Sequence, residues 1–96
     1  MLYNITQSQI DNQGYQYIWG MLEKPKFNEQ NWWHNTKAFD ILVNHKRQTT
    51  IISTFDWING VACNFKSIER ITGEVIDVSE VERVLKECGL IEQKKG

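Results

Sequence analysis

A chain of 96 residues, 41% of them apolar and 24% charged, has the length and composition of one globular domain, which argues against a disordered or fibrous protein. Its 11 basic and 12 acidic side chains give a net charge of −1, so the strong signal of a basic nucleic-acid-binding domain is missing. The opening MLYNITQSQI lacks the pattern of a signal peptide, and no apolar run is long enough to span a bilayer. We therefore expect one domain over residues 1–96, in the cytoplasm and without a membrane partner.

The N-terminal segment has the spacing of a helix. Thr6 and Gln9 fit a capping box, and the apolar residues that follow recur at helical intervals. This pattern predicts a helix over about 6–23, bounded by Pro25. The alternative is a strand over 14–19. On that strand one face carries Tyr15, Tyr17 and Trp19.

Two adjacent tryptophans follow, in the segment NEQNWWHNTKAF. Neighbouring side chains on a strand point to opposite faces, so Trp32 and Trp33 cannot enter one core by the same route. One interpretation buries both rings from different directions, between a sheet and its helices. The sharper interpretation presents one ring at the surface among His34, Asn31 and Asn35, as is typical of protein recognition sites. The predicted partner-binding site is therefore centred on Trp32, Trp33, His34 and Asn35.

The segment KAFDILVNHKRQTTIISTF alternates and is rich in β-branched residues, which predicts a hairpin over about 37–55. Its polar connection NHKR places Lys46 and Arg47 at the tip. These two bases form the predicted electrostatic flank of the tryptophan site. Strand alternation puts Phe39, Ile41 and Val43 on one face.

A third strand is predicted in WINGVACNF, after a turn at Asn59 and Gly60. Beyond it, apolar residues have the spacing of one or two helical turns that end at Gly73. These residues are Phe65, Ile68 and Ile71.

The same region offers an alternative function. Residues 55–73 also admit a weak helix-turn-helix interpretation, although Gly60 interrupts its first helix. A nucleic-acid-binding surface would then use Lys46, Arg47, Lys66 and Arg70 to contact phosphates.

The C-terminal segment has the clearest helix pattern. Asp77 and Glu80 form a capping box that predicts a helix beginning at Val78. Gly89 stands where a left-handed C-terminal cap belongs, and the tail over 92–96 is expected to fray. One stripe of this helix carries Val81, Val84, Leu85 and Cys88.

Metal binding and thiol catalysis have little support. The complete set of histidines and cysteines is His34, His45, Cys63 and Cys88. Each is separated from the next by ten or more residues, unlike the close pairs of structural zinc sites. A Cys63 nucleophile needs His45 or His34 nearby in space, yet GVACNF reads as a buried strand, where a thiol is inert. We therefore expect no metal, no cofactor and no enzymatic activity.

Together these patterns predict a small α+β domain, with a short antiparallel sheet and packed N-terminal and C-terminal helices. The predicted function is a non-enzymatic protein-binding module: an inhibitor, immunity factor or accessory subunit that docks on and occludes a larger protein or ribonucleoprotein. A homodimer through the same surface is an alternative partner arrangement. Nucleic-acid binding is the second hypothesis, and a thiol or small-molecule enzyme is the third.

Overall fold

The computed structural model of the chain describes residues 2–23, 36–72, 74 and 76–91. In these residues five strands precede a 3-10 turn and one helix: β1 Tyr3–Gln7, β2 Tyr15–Met21, β3 Thr36–Asn44, β4 Thr49–Ile58, β5 Val61–Arg70, the turn Val78–Glu80, and α1 Val81–Glu87. Each strand pairs antiparallel with its sequence neighbours, so the sheet order is β1-β2-β3-β4-β5. The predicted α+β class, with helices at both ends, is therefore wrong: the described fold is an antiparallel meander with one short C-terminal helix.

The predicted N-terminal helix is replaced by the hairpin of β1 and β2. A tight turn reverses the chain between them, where the Asp11 carboxylate accepts hydrogen bonds from the N–H groups of Gln13 and Tyr15, both at 2.9 Å. Gly14 completes the turn at φ +87°, a left-handed conformation that ends any continuous helix. The strand alternative over 14–19 is the correct one, because burial alternates with period two along β2.

The central hairpin is present as predicted, in β3 and β4, with Asn44 opposite Thr49. The Asn44 side chain stabilises the turn between the two strands, because its Oδ1 accepts hydrogen bonds from the N–H groups of Lys46 and Arg47 at 3.1 Å each. The predicted shared face is also confirmed, since Phe39, Ile41 and Val43 are fully buried in one cluster.

The third strand begins after the predicted turn. Asn59 and Gly60 have φ values of +53° and +81°, as a type I′ hairpin turn requires. The expected helical turns near Phe65 and the helix-turn-helix interpretation are wrong, because β5 continues through Arg70 beside β4. Long-range pairing overrides the local spacing here.

The core lies between α1 and one face of the sheet. A row of isoleucines crosses four strands on that face, where Ile18, Ile41, Ile52 and Ile68 stand opposite one another. Against this face pack Val81, Val84 and Leu85 of α1, all buried. The Gln16 side chain donates a hydrogen bond to the Ile76 carbonyl at 3.2 Å, which ties β2 to the segment before the helix.

The ends of the helix follow the prediction in part. At the C-terminus, Gly89 has φ +73°, and the N–H groups of Gly89 and Leu90 bond to the carbonyls of Lys86 and Leu85, which is a Schellman motif. At the N-terminus the capping box is not formed, because the Asp77 carboxylate accepts the Ser79 hydroxyl instead. The predicted frayed tail lies outside the described residues. In the described part of the chain, no helix has the length and apolarity to cross a membrane.

Candidate functional site: the open face of the sheet

The sheet side opposite α1 carries large apolar side chains in contact with solvent. Tyr17, Leu42 and Ile51 stand opposite one another on β2, β3 and β4, and their exposed fractions are 39%, 36% and 42%. Phe65 on β5 is 58% exposed and stacks on Phe55 at 5.2 Å between ring centroids. We call this surface the open face. It consists of Tyr17, Trp19, Asp40, Leu42, Ile51, Ser53, Phe65, Ser67 and Glu69.

The charges of the strands are divided between the two sides of the sheet. On the open face the charged strand residues are two acids, Asp40 and Glu69. The basic strand residues lie on the helix side, where Lys66 and Arg70 stand opposite Thr54 and Thr50. Lys37, opposite Asp56, is on that side as well. Among the described strand residues, the open face is therefore apolar, aromatic and acidic.

Asp40 lies near the centre of the open face, directly opposite Trp19 on β2 and Ser53 on β4. The Tyr17 hydroxyl donates a hydrogen bond to Asp40 Oδ2 at 3.1 Å. Burial raises the pKa of the Asp40 carboxyl above its usual value, and hydrogen bonds from Tyr17 and Ser53 offset part of that rise. Burial and the Asp40 charge in turn raise the pKa of Tyr17 to about 12. At neutral pH the Tyr17 phenol is therefore not ionised, and it donates its proton to the hydrogen bond with Asp40.

A second pair of hydroxyls extends this arrangement. Ser53 Oγ and Ser67 Oγ lie 2.8 Å apart. Either hydroxyl can donate in this contact, and Ser53 stands directly opposite Asp40 on β4. The Asp40 carboxylate is therefore held by Tyr17 from β2 and has a pair of serine hydroxyls beside it on β4 and β5.

Both edge strands contain a bulge. On β5, Asn64 and Phe65 together oppose Phe55, and on β1, Asn4 and Ile5 together oppose Gly20. Asn4 and Asn64 have left-handed φ values of +52° and +56°, respectively. Bulges interrupt the regular ladder that another strand would need for edge-to-edge pairing. The face, rather than the edges, is the surface suited to association.

Only the basic flank of the predicted partner site falls within the described residues. Trp32, Trp33, His34 and Asn35 lie outside the described residues, so their placement stays a prediction. Lys46 and Arg47 lie in the β3–β4 turn. Asn44, where β3 enters this turn, is eight residues from Thr36 at the other end of the strand, or roughly 26 Å at about 3.3 Å per residue. The Lys46 ammonium also donates a hydrogen bond to the Asn12 carbonyl at 3.1 Å.

The four bases of the nucleic-acid alternative do not form one strip on the sheet. Lys66 and Arg70 lie on the helix side of β5, where Lys66 is four residues farther from the hairpin tip than Arg70. Arg70 lines a surface depression that also contains Glu74, Arg83 and Glu87. Acidic side chains therefore surround part of the surface that phosphates would have to approach.

The thiol hypothesis for Cys63 with His45 is contradicted by the register. Cys63 stands opposite Asp56, seven residues along β4 from Thr49, which is roughly 23 Å from the turn that carries His45. The Cys63 thiol instead contacts the Asp56 carbonyl at 3.7 Å. In the part of the chain that the structure describes, no three His, Cys, Asp or Glu side chains cluster as metal ligands.

The open face was not predicted as a site, although its signal is present in the sequence. Tyr17, Leu42 and Ile51 occupy strand positions whose neighbours are the core residues Ile18, Ile41 and Ile52. Consecutive large apolar residues in adjacent strands predict a sheet with two apolar faces. Among the described residues, α1 packs against only one of them.

Comparison of the chain with protein-family models, with curated proteins and with solved structures finds no match.

Proposed function

We propose that this protein is a non-enzymatic binding module that docks on a larger protein through the open face. It acts as an inhibitor, immunity factor or accessory subunit by occluding or adapting that partner, and it works in the cytosol. The observation that supports the proposal is the row of Tyr17, Leu42 and Ile51, which remains more than a third exposed on a sheet whose other face is packed against α1. Apolar surface of this kind, with aromatic rings and few charges, is characteristic of protein interfaces.

The first experiment is affinity capture from the source cells with tagged wild type and the double variant Leu42→Asn, Ile51→Asn. The matched control is Ile58→Asn, Val61→Asn, because these apolar residues are 38% and 63% exposed beside the β4–β5 turn, away from the open face. Circular dichroism and thermal unfolding establish that each variant is folded. We expect a stoichiometric protein partner with wild type and the control, and its loss with the open-face variant.

Two further arms separate the other hypotheses. The variant Trp32→Ala, Trp33→Ala tests the predicted tryptophan site. Capture in the presence of nuclease and at raised salt tests the nucleic-acid alternative, since phosphate-driven binding falls steeply with ionic strength. A partner that binds the open-face variant as tightly as wild type contradicts the proposal.

A further inference from the structure

We propose that the open face recognises a basic protein segment and seats one arginine side chain of it on Asp40, between the rings of Tyr17 and Trp19. This inference rests on the proposed function and specifies the chemistry of the partner. It names residues other than those of the predicted tryptophan site.

The geometry of Asp40 supports a fixed acceptor. Its carboxylate accepts a hydrogen bond from the Tyr17 hydroxyl at 3.1 Å, and Ser53, which lies 2.8 Å from Ser67 between the two Oγ atoms, stands directly opposite it on β4. A carboxylate has about four acceptor positions, so the Tyr17 hydroxyl leaves room for an incoming donor. An oriented acceptor loses little side-chain freedom when a ligand binds.

The charge distribution supports a cation. Between described residues, the ion pairs all lie on the helical segment, where Arg83 and Lys86 contact Glu80, Glu82 and Glu87. The strand bases lie on the helix side of the sheet, so no described Lys or Arg forms an ion pair with Asp40. Burial disfavours the charged form of the half-buried Asp40 carboxyl. A cationic partner stabilises that form through a hydrogen bond between opposite charges.

The flanking rings favour arginine. Trp19 stands directly opposite Asp40 on β2. Tyr17, the diagonal neighbour of Asp40 on the same strand, donates a hydrogen bond to the Asp40 carboxylate. A planar guanidinium stacks on aromatic faces while it donates to a carboxylate, which an ammonium does less well. Leu42 and Ile51 then extend the contact to aliphatic neighbours of that arginine.

The same charges disfavour the other occupants. Phosphates of a nucleic acid or an anionic membrane would meet two acids and no base among the described strand residues of this face. A second copy docked face to face would bring Asp40 and Glu69 towards the acids of its twin, and like charges at an interface cost binding energy. A basic segment of another protein is the complementary partner.

The test is selection of a random peptide library against immobilised wild type, followed by synthesis of the enriched peptides. We expect the selected peptides to be enriched in arginine beside aliphatic residues and to need Leu42 and Ile51 for binding. Each peptide is then made again with citrulline, the neutral counterpart of arginine. Dissociation constants are measured for both forms against wild type and Asp40→Asn, with Glu69→Gln as the matched control.

The expected result is that citrulline weakens binding to wild type about ten- to a hundredfold, as for a hydrogen bond between charged groups, and weakens binding to Asp40→Asn far less. Peptides that need Leu42 and Ile51 but carry no arginine would overturn this inference and leave the proposed function intact. An equal citrulline effect on wild type and Asp40→Asn would do the same. A library from which no open-face binder emerges would count against both.

Discussion

Asn4 and Asn64 occupy equivalent positions at the two edges of the sheet. Each has a left-handed backbone, and each begins a two-residue bulge that faces one residue of the neighbouring strand. Their side chains also reach inward: Asn64 Nδ2 donates to Asp56 Oδ2 at 3.0 Å, and Asn4 Nδ2 contacts Met21 Sδ at 3.9 Å. Asparagine is among the few non-glycine residues that adopt this conformation readily.

The bulge on β5 gives a first prediction. Asn64→Val places a β-branched residue at φ +56° and is expected to lower the free energy of unfolding by about 1–2 kcal/mol, whereas Asn64→Gly accepts the conformation and loses only an exposed hydrogen bond. Urea denaturation measures both. Lys66→Val, two residues later in the regular ladder, is the control for the valine side chain. Equal stability of the valine and glycine variants would contradict a left-handed requirement at this position.

Gly20 supports a second prediction, about the core. A Cβ atom at this position would lie 2.9 Å from Phe39 Cε1 and 3.2 Å from the Ile5 Cα atom. Because Phe39 is fully buried, the ring has little room to move, so Gly20→Ala is expected to cost about 1–3 kcal/mol of stability. The companion variant Gly20→Ala, Phe39→Leu should recover part of the loss relative to Phe39→Leu alone. Additive costs would show that the added methyl does not meet the ring.

Asp40 supports a prediction about pH. Since burial raises its pKa in the folded state, the unfolded chain ionises first as pH rises, and folding becomes less favourable through the window between the usual pKa and the raised one. Above that window the full destabilisation is present, and below it the destabilisation disappears. Asp40→Asn should therefore melt at a higher temperature than wild type at pH 7, and the difference should shrink at pH 3.

Thermal unfolding across this pH range is the measurement. Glu69→Gln is the control, because it removes the exposed acid of the same face. A wild-type advantage over Asp40→Asn at pH 7 would mean that the hydrogen bonds to the carboxylate outweigh its burial.

The Tyr17 hydroxyl supports a fourth prediction. Its hydrogen bond lowers the pKa of Asp40, so Tyr17→Phe should raise the Asp40 pKa further while the ring continues to cover the carboxyl. An NMR titration of the Asp40 carboxyl carbon in both proteins measures this difference. Tyr15→Phe, two residues earlier on the same face, serves as the comparison and should leave the Asp40 pKa near the wild-type value. No rise in Tyr17→Phe would mean that the contact at 3.1 Å is not maintained in solution.

Local signals predicted the parts of the fold that local chemistry specifies. The Asn59–Gly60 turn, the central hairpin and the left-handed cap at Gly89 each depend on a few adjacent residues, and each is present. The N-terminal segment was misassigned because its apolar residues fit both periods, and the turn at Asp11 and Gly14 decides between them. The spacing of Phe65 and Ile68 also fits both periods. In that segment pairing with β4, a long-range effect, decides for the strand.

The candidate site shows a similar division. Alternation in β3 correctly separates Phe39 and Ile41 from Asp40 and Leu42. It cannot say which side a helix will cover, because that depends on where α1 packs after the strands have paired. The tryptophan site is predicted from two adjacent rings among polar side chains, and such a local pattern carries no information on the register that brings Tyr17 to Asp40.

The meander order has a consequence for how the protein is made. Every strand pairs with a strand adjacent in sequence, so each hairpin can form as it leaves the ribosome, without waiting for distant segments. The core face is completed later. Ile18, Phe39 and Ile41 are buried against α1, which follows all five strands in the chain. During synthesis the sheet therefore passes through a stage with two uncovered apolar faces. In that interval the bulges at Asn4 and Asn64 make the two sheet edges poor templates for pairing with a strand of another chain.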